Sequence, residues 1–458
     1  MTRQGTTGSV GMRRVVAASA IGNGLEWYDY AAYGLLATTL AKVFFPEELP
    51  SAALLSTLAV FGVAFVARPI SAFVFGRVAD QRGRRPVLVM TVLLMSAATL
   101  AIAALPSYDA IGLAAPVLLL VARLLQGVAV GAEWGSAAAF LSECTPAATR
   151  GRLTSFLGAT AALGPLVASV LIGSIAAWTN DGFLLEWGWR IPFLLGGVIG
   201  LIGLGLRLSV PESPVFEHGR DTPAGRAPSG PSRGTLTTRA LILAALTAYW
   251  AVIYYVVLTY VPTFVQAHGR LDESAALFAT SAGLVVLVLA IPVAGRLSDR
   301  WPRRRLAIVS GAVSAVVTVP LAMLLPGASF WGVVGGVLLW NVSLAINGAI
   351  APALASGLFP PRVRTTWIAT TYAASVAVFG GTTPYISEWL VQVTGDPHAF
   401  AWWLVLFSLV GVAAGLLVPR RESGDELAGA GADPPRNREP RKREPRRREP
   451  RKREPRRR

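Results

Sequence analysis

The chain has 458 residues, 53% of them hydrophobic and only 15% charged, with a mean hydropathy of +0.52, values that exclude a water-soluble globular enzyme of this size. The net charge of +16 is concentrated: residues 420–458 hold 16 Lys/Arg against 8 Asp/Glu, so a body poor in charge carries a basic tail, and the pI of about 10.9 is no pointer to nucleic acid. One cysteine, Cys144, excludes an intramolecular disulfide framework.

A helix needs about 20 apolar residues to cross the hydrocarbon core, because every backbone polar group must be satisfied within the segment. In chain order, twelve stretches meet that need: 15–43, 52–76, 86–106, 111–142, 153–177, 190–209, 240–267, 274–297, 305–325, 330–358, 365–391 and 400–418. With the N-terminus placed inside, the inner loops carry 21 Lys/Arg before the tail, and the outer ones only Lys42, Arg190 and Arg270. The positive-inside rule therefore puts both termini in the cytoplasm. Glu26 and Asp29 interrupt what would be a signal-peptide core and no cleavage site follows, so helix 1 is expected to stay in the mature protein.

Helix 1 carries Glu26 and Asp29, helix 2 carries Arg68, and helix 4 carries Arg123 and Glu133. Each costs roughly 2.5–3.5 kcal/mol at hydrocarbon depth, so each must face a partner or a wet cavity. At 100° per residue, Asn23, Glu26, Asp29, Tyr30 and Tyr33 share an arc of about 120°, and Arg123, Gln126, Val130 and Glu133 share about 80°. Three carboxylates against two guanidiniums leave a charge near −1, which makes one site a natural proton acceptor. Arg68, before Pro69, lies too deep to snorkel and needs an acceptor: a substrate carboxylate gripped by the guanidinium fork, or an ion pair to Glu26 or Glu133.

The loop after helix 2 reads Gly76-Arg77-Val78-Ala79-Asp80-Gln81-Arg82-Gly83-Arg84-Arg85. Gly76 permits close helix approach. Asp80 lies where helix 11 begins near Thr365 and can sit against the positive end of that helix, with Arg84 and Arg85 compensating. A related decapeptide, Gly295 to Arg304 with Asp299 and Arg303, returns 219 residues later after helix 8. A six-helix unit has been duplicated, joined by a Pro/Gly/Ser/Arg-rich linker at 210–238; the alternative is two unrelated basic loops. The expected units are a cytoplasmic N-terminus 1–14, bundles 15–209 and 239–419, the linker, and a tail 420–458. The second bundle is poor in buried charge, with only Glu388 near the outer end of helix 11. It offers Trp250, Tyr254, Tyr255, Asn341, Asn347, Thr366, Thr370 and Tyr372, either as substrate-reading groups or as packing. The tail repeats Arg-Glu-Pro-Arg-Lys or Arg-Glu-Pro-Arg-Arg four times from Arg438, a pattern that forbids stable helix and reads as disordered.

The first decapeptide closely resembles the hallmark loop of the major facilitator superfamily, and the resemblance covers helices 1 to 12. More narrowly the chain is similar to the metabolite:proton symporter family, carriers of shikimate, α-ketoglutarate, citrate, proline and betaine. The matching pieces are Gly22 to Tyr30, Phe44-Phe45-Pro46, Ala67-Arg68-Pro69, Arg123 to Gly127 running into Gly131-Ala132-Glu133-Trp134-Gly135, Glu186 to Phe193, and Glu212 to Phe216. Glu133-Trp134-Gly135 looks most like the shikimate branch. The resemblance implies an all-α membrane protein with twelve transmembrane helices in two six-helix pseudo-symmetric bundles. The buried charges themselves read as the proton-coupling set, with Glu26, Asp29 and Glu133 as candidates for the proton-binding carboxylate and Arg123 as the cation whose pairing changes. Arg123 also resembles the family's helix-4 arginine by position, and a permanent ion pair between helices 1 and 4 is the alternative. The expected substrate groups are Arg68, Arg123, Tyr30, Tyr33, Gln126, Trp250, Tyr254 and Asn347. Gly76, Asp80, Gly83, Arg84 and Arg85, with Gly295, Asp299 and Arg303, are the expected cytoplasmic gate.

A phosphate-binding loop is excluded because Lys42, Lys442 and Lys452 are never preceded by glycine, so energy must come from a gradient. His218, His268 and His398 are too scattered for a metal site, and no catalytic set recurs. The reading is a monomeric multi-pass plasma-membrane proton symporter that imports a small carboxylate or zwitterion, partnered by protons and the lipid bilayer, with no cofactor, metal, enzyme activity or nucleic acid. Gly164-Pro165 in helix 5 faintly resembles drug-exporter motifs and leaves proton-coupled efflux as the alternative.

Overall fold

This computed structural model describes residues 9–46, 50–131, 133–179, 181–208, 232–261, 264–265, 271 and 273–419. The tail, most of the linker, His218, His268 and Arg270 lie outside them. Among the described residues every regular element is helical. Twelve long elements follow one another. The first six are α1 (Ser9–Leu35), α2 (Pro50–Arg82), α3 (Arg84–Ala104), α4 (Ala114–Val130 continuing as Glu133–Cys144), α5 (Phe156–Trp178) and α6 (a π turn Leu184–Gly188, then Arg190–Leu208). The second six are α7 (Arg233–Tyr255 with a π turn Val256–Tyr260), α8 (Glu273–Ser298), α9 (Arg303–Leu324), α10 (Phe330–Leu358), α11 (Arg364–Ser375, a π turn Val376–Gly380, then Gly381–Thr394) and α12 (Phe400–Leu417).

Nine described helices are long and apolar enough to cross a membrane on length and composition alone. The other three are α1 and α2, which hold buried charges, and α11, whose first half is rich in threonine. Several boundaries differ from the hydropathy reading: α1 begins at Ser9 rather than 15, and α2 runs on to Arg82 rather than 76. Helix 1 breaks at Leu36 and continues as Ala37–Phe44, and α7 starts at Arg233, where the Ser232 hydroxyl accepts the Thr235 amide at 3.3 Å and caps a first turn that hydropathy cannot see. Large apolar side chains such as Val66, Leu113, Val316 and Trp331 point outward, the distribution a lipid solvent demands.

The duplication is written into the packing. In the first half α1 packs on α5 and α6, α2 on α4, and α3 on α4 and α6; in the second α7 packs on α11 and α12, α8 on α10, and α9 on α10 and α12. Each of these contacts recurs six helices later. The two bundles meet mainly where α2 crosses α11 and α5 crosses α8, related pairs again, with α4 filling between α10 and α11. Gly164 serves this packing: a Cβ there meets the Gly24 carbonyl at 2.6 Å, so Gly164-Pro165 is accounted for by the close approach of α5 to α1.

Candidate functional site

Among the described residues, three buried charge assemblies lie in the interior of the first bundle, away from its basic face. Glu26 of α1 pairs with Arg68 of α2 at 3.1 Å, and both side chains are sealed from solvent. The Arg68 guanidinium also lies over the Tyr30 ring at 4.1 Å and the Phe65 ring at 4.9 Å, which is worth roughly 2 kcal/mol in a dry setting. Asp29 accepts from the Thr99 hydroxyl of α3 at 2.8 Å and from the Gln126 amide, while Gln126 accepts from Arg123 at 2.7 Å. Gln126 thus joins carboxylate to guanidinium. Arg123 lies over Tyr33 at 4.2 Å, and Tyr33 donates to the Thr57 carbonyl at 3.1 Å.

The third assembly departs from expectation. Glu133 binds Arg207 of α6 through both oxygens and accepts from Thr91 at 2.6 Å, while Arg207 also donates to the Leu88 carbonyl. Hydropathy places Arg207 with the inner-loop arginines; it is in fact buried, which balances three carboxylates with three guanidiniums instead of two. Gly22 makes the room. A Cβ there lies 2.5 Å from Glu133 Oε1 and 2.6 Å from Arg207 Cζ. Asn23, expected on the polar stripe, turns instead to α5, donating to the Leu157 carbonyl at 2.7 Å and to Thr160 at 3.0 Å.

Between the bundles lies a narrow cavity of about 40 Å³ whose walls include Trp134 and Gly158 of the first half and Thr247, Trp250, Asn347 and Tyr372 of the second. Its aromatics interlock. Trp134 stacks on Tyr372 with centroids 4.2 Å apart, Trp250 stacks on Tyr254 at 4.8 Å, and Trp27 meets Trp250 and Tyr254 edge-on at 5.8 and 5.3 Å. Tyr254 donates to the Ala161 carbonyl at 3.0 Å, tying α7 to α5. Of the expected substrate groups, Trp250 and Asn347 line this cavity and Tyr254 backs it. Arg68, Arg123, Tyr30, Tyr33 and Gln126 are outside its lining, held by the first bundle's ion pairs and rings. Tyr372 connects the two regions, stacked on Trp134 and within electrostatic reach of Glu26 and Arg68. Asn341 is structural, donating to the Gly283 carbonyl at 2.7 Å.

The basic face is closed by a duplicated contact. Asp80 accepts the Thr365 amide at 3.0 Å, the Thr366 amide at 2.9 Å and the Thr366 hydroxyl at 2.8 Å, capping the start of α11. Asp299 accepts the Gly151 and Arg152 amides at 2.6 and 3.0 Å, capping the turn that leads into α5. Both carboxylates satisfy amides that a helix start leaves without partners and sit at the positive end of its dipole. A Cβ on Gly76 lies 2.7 Å from Thr366 Cα, and one on Gly295 lies 2.9 Å from the Gly151 carbonyl, so both crossings need glycine. Gly83, at φ 105°, turns α2 into α3. Arg85 donates to the Leu208 carbonyl at 2.5 Å and Arg304 to the Leu416 carbonyl at 2.9 Å, again one repeat apart.

Arg84 ties the first loop to a further carboxylate. It pairs with Asp80 at 3.4 Å and with Glu143 at 3.3 Å, and Glu143 pairs with Arg364 at 2.6 Å, so a buried carboxylate at the end of α4 holds cations from both bundles. Arg303, at the equivalent start of α9, lies within electrostatic reach of Arg150. Sequence reasoning passed over Glu143, Arg364 and Arg207 because each sits in the last or first turn of a span, where hydropathy reads a charge as solvated loop. The signal available for Glu143 was its place one residue before Cys144, at the end of a span already rich in buried polar groups.

Known proteins can now be set beside this geometry. The family model described as Major Facilitator Superfamily matches residues 25–374 and 270–454. A putative proline/betaine transporter of Staphylococcus haemolyticus is 33% identical over 430 residues, covering 91% of this chain and 90% of that protein. The glycine betaine/proline/ectoine/pipecolic acid transporter OusA of Dickeya dadantii is 32% identical over 430 residues, covering 92% and 85%, and the proline/betaine transporter of Escherichia coli is 31% identical over 418 residues, covering 88% and 83%. Among solved structures, the proton:xylose symporter XylE bound to 6-bromo-6-deoxy-D-glucose superposes with a TM-score of 0.76 at 20% identity, covering 92% of this chain and 99% of that one. These relatives are named for proline and betaine, whereas Glu133-Trp134-Gly135 leans to the shikimate branch. Its residues have packing duties that explain the sequence: Glu133 binds Arg207, Trp134 stacks on Tyr372, and a Cβ on Gly135 meets Ala369 Cα at 2.7 Å.

Proposed function

The chain belongs to the Major Facilitator Superfamily, a multi-pass membrane transporter of the proline–betaine carrier type, and from that premise we propose that it is a proton symporter importing a small zwitterion, its basic face in the cytoplasm. One observation carries the reading: an aromatic-walled cavity lies across Tyr372 from a buried carboxylate–guanidinium pair, Glu26–Arg68. A zwitterion has two ends for these two settings. Its cationic end suits the faces of Trp134, Trp250 and Tyr372, and its carboxylate suits the Arg68 fork. A substrate carboxylate on Arg68 takes the counterion from Glu26, and a carboxylate left alone in a dry site favours a proton. Asp29 and Arg123, linked through Gln126, provide a second pair that responds in the same way. Coupling then follows, because the substrate and the proton each make the other's site favourable.

Alternating access is the matching motion. Bundles 15–209 and 239–419 rock about the cavity, with 210–238 as the tether. The Asp80 and Asp299 contacts and the Arg84–Glu143–Arg364 cluster hold the cytoplasmic side shut until both ligands are aboard. A monomer contains the whole pathway. The test is uptake into proteoliposomes under an imposed pH gradient, with glycine betaine, proline, ectoine, shikimate and α-ketoglutarate compared. Accumulation of the zwitterions above their external level, abolished by a protonophore, is expected. Accumulation indifferent to the gradient, or confined to the dicarboxylate, contradicts the proposal.

A further inference from the structure

A threonine or asparagine buried in an apolar helix must find a partner for its polar atoms, because leaving them unpaired is costly. Several in the second bundle find it in their own backbone. Thr280 and Thr318 donate to the carbonyls of Ala276 and Ser314, four residues earlier, at 2.9 and 2.7 Å, and Asn341 donates to the Gly283 carbonyl at 2.7 Å. Thr247 of α7 and Asn347 of α10 differ. They are only 6% and 4% exposed, yet among the described residues neither side chain has a hydrogen-bond partner. Both line the cavity between the bundles with Trp134, Trp250 and Tyr372, and unlike the sealed Asn341 Oδ1 their polar atoms keep contact with open space. Among the described residues no lining side chain of this cavity is charged. Its volume of about 40 Å³ is roughly that of three waters, so in this closed shape it admits one end of a solute and not the whole.

We propose that Asn347 and Thr247 are specificity-determining residues that accept hydrogen bonds from the solute's ammonium, so that the chain favours zwitterions whose nitrogen keeps N–H bonds over fully methylated betaines. The proposal rests on the zwitterion reading of the cavity and adds the chemistry of the cationic end. An ammonium is a donor only, while the Asn347 carbonyl oxygen and the Thr247 hydroxyl oxygen are acceptors, and a hydrogen bond from a charged donor is roughly twice as strong as a neutral one. The aromatic faces attract any cation, methylated or not. They give affinity without choice. The amide and the hydroxyl supply the choice: a quaternary nitrogen has no N–H, covers both acceptors with methyl groups and leaves them unpaired in a dry wall. That is the situation in which a hydrogen-bonding site discriminates most strongly against an analogue. Betaines are then carried through the rings at lower affinity, and an imino acid such as proline engages rings and acceptors together.

The experiment uses the full chain in proteoliposomes under an imposed pH gradient and measures KM for radiolabelled proline, N-methylproline and N,N-dimethylproline, which offer two, one and no N–H bonds on the same ring and carboxylate. In the parent protein KM is expected to rise at least tenfold from proline to N,N-dimethylproline, with N-methylproline between them. Asn347→Leu, close in shape but without an acceptor, is expected to raise KM for proline at least tenfold and to leave that for N,N-dimethylproline within about threefold, so that the preference disappears. Thr247→Val is expected to narrow the preference in the same direction and serves if the asparagine variant misfolds. A preference set by the bulk of the methyl groups survives both changes. Equal KM values across the series in the parent protein, or a preference that persists unchanged in either folded variant, overturns the hydrogen-bond assignment and leaves the zwitterion reading standing. Uptake of none of the three solutes overturns the zwitterion reading and the assignment with it.

Discussion

At the scale of single residues, the site is built from guanidiniums that each have two employments. Arg68 holds Glu26 and covers Tyr30; Arg123 holds Gln126 and covers Tyr33; Arg207 holds Glu133 and the Leu88 carbonyl. The planar fork matters more than the charge, since lysine offers neither the bidentate grip nor the flat face. Arg68→Lys is therefore expected to raise KM for glycine betaine about tenfold, roughly 1.4 kcal/mol, with kcat changed less than about threefold. Unchanged KM in a transport assay removes Arg68 from carboxylate recognition. The five membrane-buried charges of α1, α2 and α4 were legible because lipid makes any charge conspicuous. Of their partners, Glu26 for Arg68 was legible as one of two candidates, but Arg207 for Glu133 was not: an arginine at the membrane border can fold inward or reach out to water, and only the position of Glu133 in space decides.

At the scale of helices, glycine sets how closely the charged faces approach. A side chain at Gly22 has no space beside Arg207 and Glu133, so Gly22→Val is expected to lower stability by roughly 1–3 kcal/mol, read as a lower Tm in detergent, from overpacking alone. A Tm within a degree of the parent protein contradicts the packing described for α1 against α4 and α6. The start of α11 depends on Asp80 for two amides and a hydroxyl. Asp80→Asn keeps shape but loses charge at a helix N-terminus, a deficit of about 1–2 kcal/mol that corresponds to a roughly 5- to 30-fold shift in a gate equilibrium. Uptake should fall by that order while the amount of protein in the membrane is unchanged; normal uptake removes Asp80 from the gate. All twelve spans were legible from apolar run length, and the meeting of Asp80 with α11 was legible from its loop. The π turns in α6, α7 and α11 were not, since no residue type demands them; those in α6 and α7 pack within their own bundles and that in α11 also meets α2.

At the scale of the whole molecule, a duplicated six-helix unit produces duplicated helix-capping contacts, and the proposed coupling rests on the asymmetry between the halves. The first bundle holds the charge pairs, the second contributes most of the cavity wall, and Tyr372 spans the boundary. The repeat was visible in the two decapeptides, and Trp250 and Asn347 were legible as cavity-lining groups, but Trp134, Gly158 and Thr247 were not, because the facing walls come from helices far apart in the chain. Cys144, the one cysteine, lies half-buried at the basic face beside Glu143 and is a native reporter of opening there. In the double variant Asp80→Asn/Asp299→Asn, alkylation of Cys144 by a maleimide supplied on that face is expected to accelerate at least tenfold, and an unchanged rate shows that the capped helix starts are not the lock. The central claim, that protons enter with the solute through the buried carboxylates, is tested most directly by adding glycine betaine to lightly buffered vesicles while recording external pH. The account predicts prompt alkalinisation of the medium with the parent protein and none with Glu26→Gln, whereas acidification, or alkalinisation that survives this change, contradicts it.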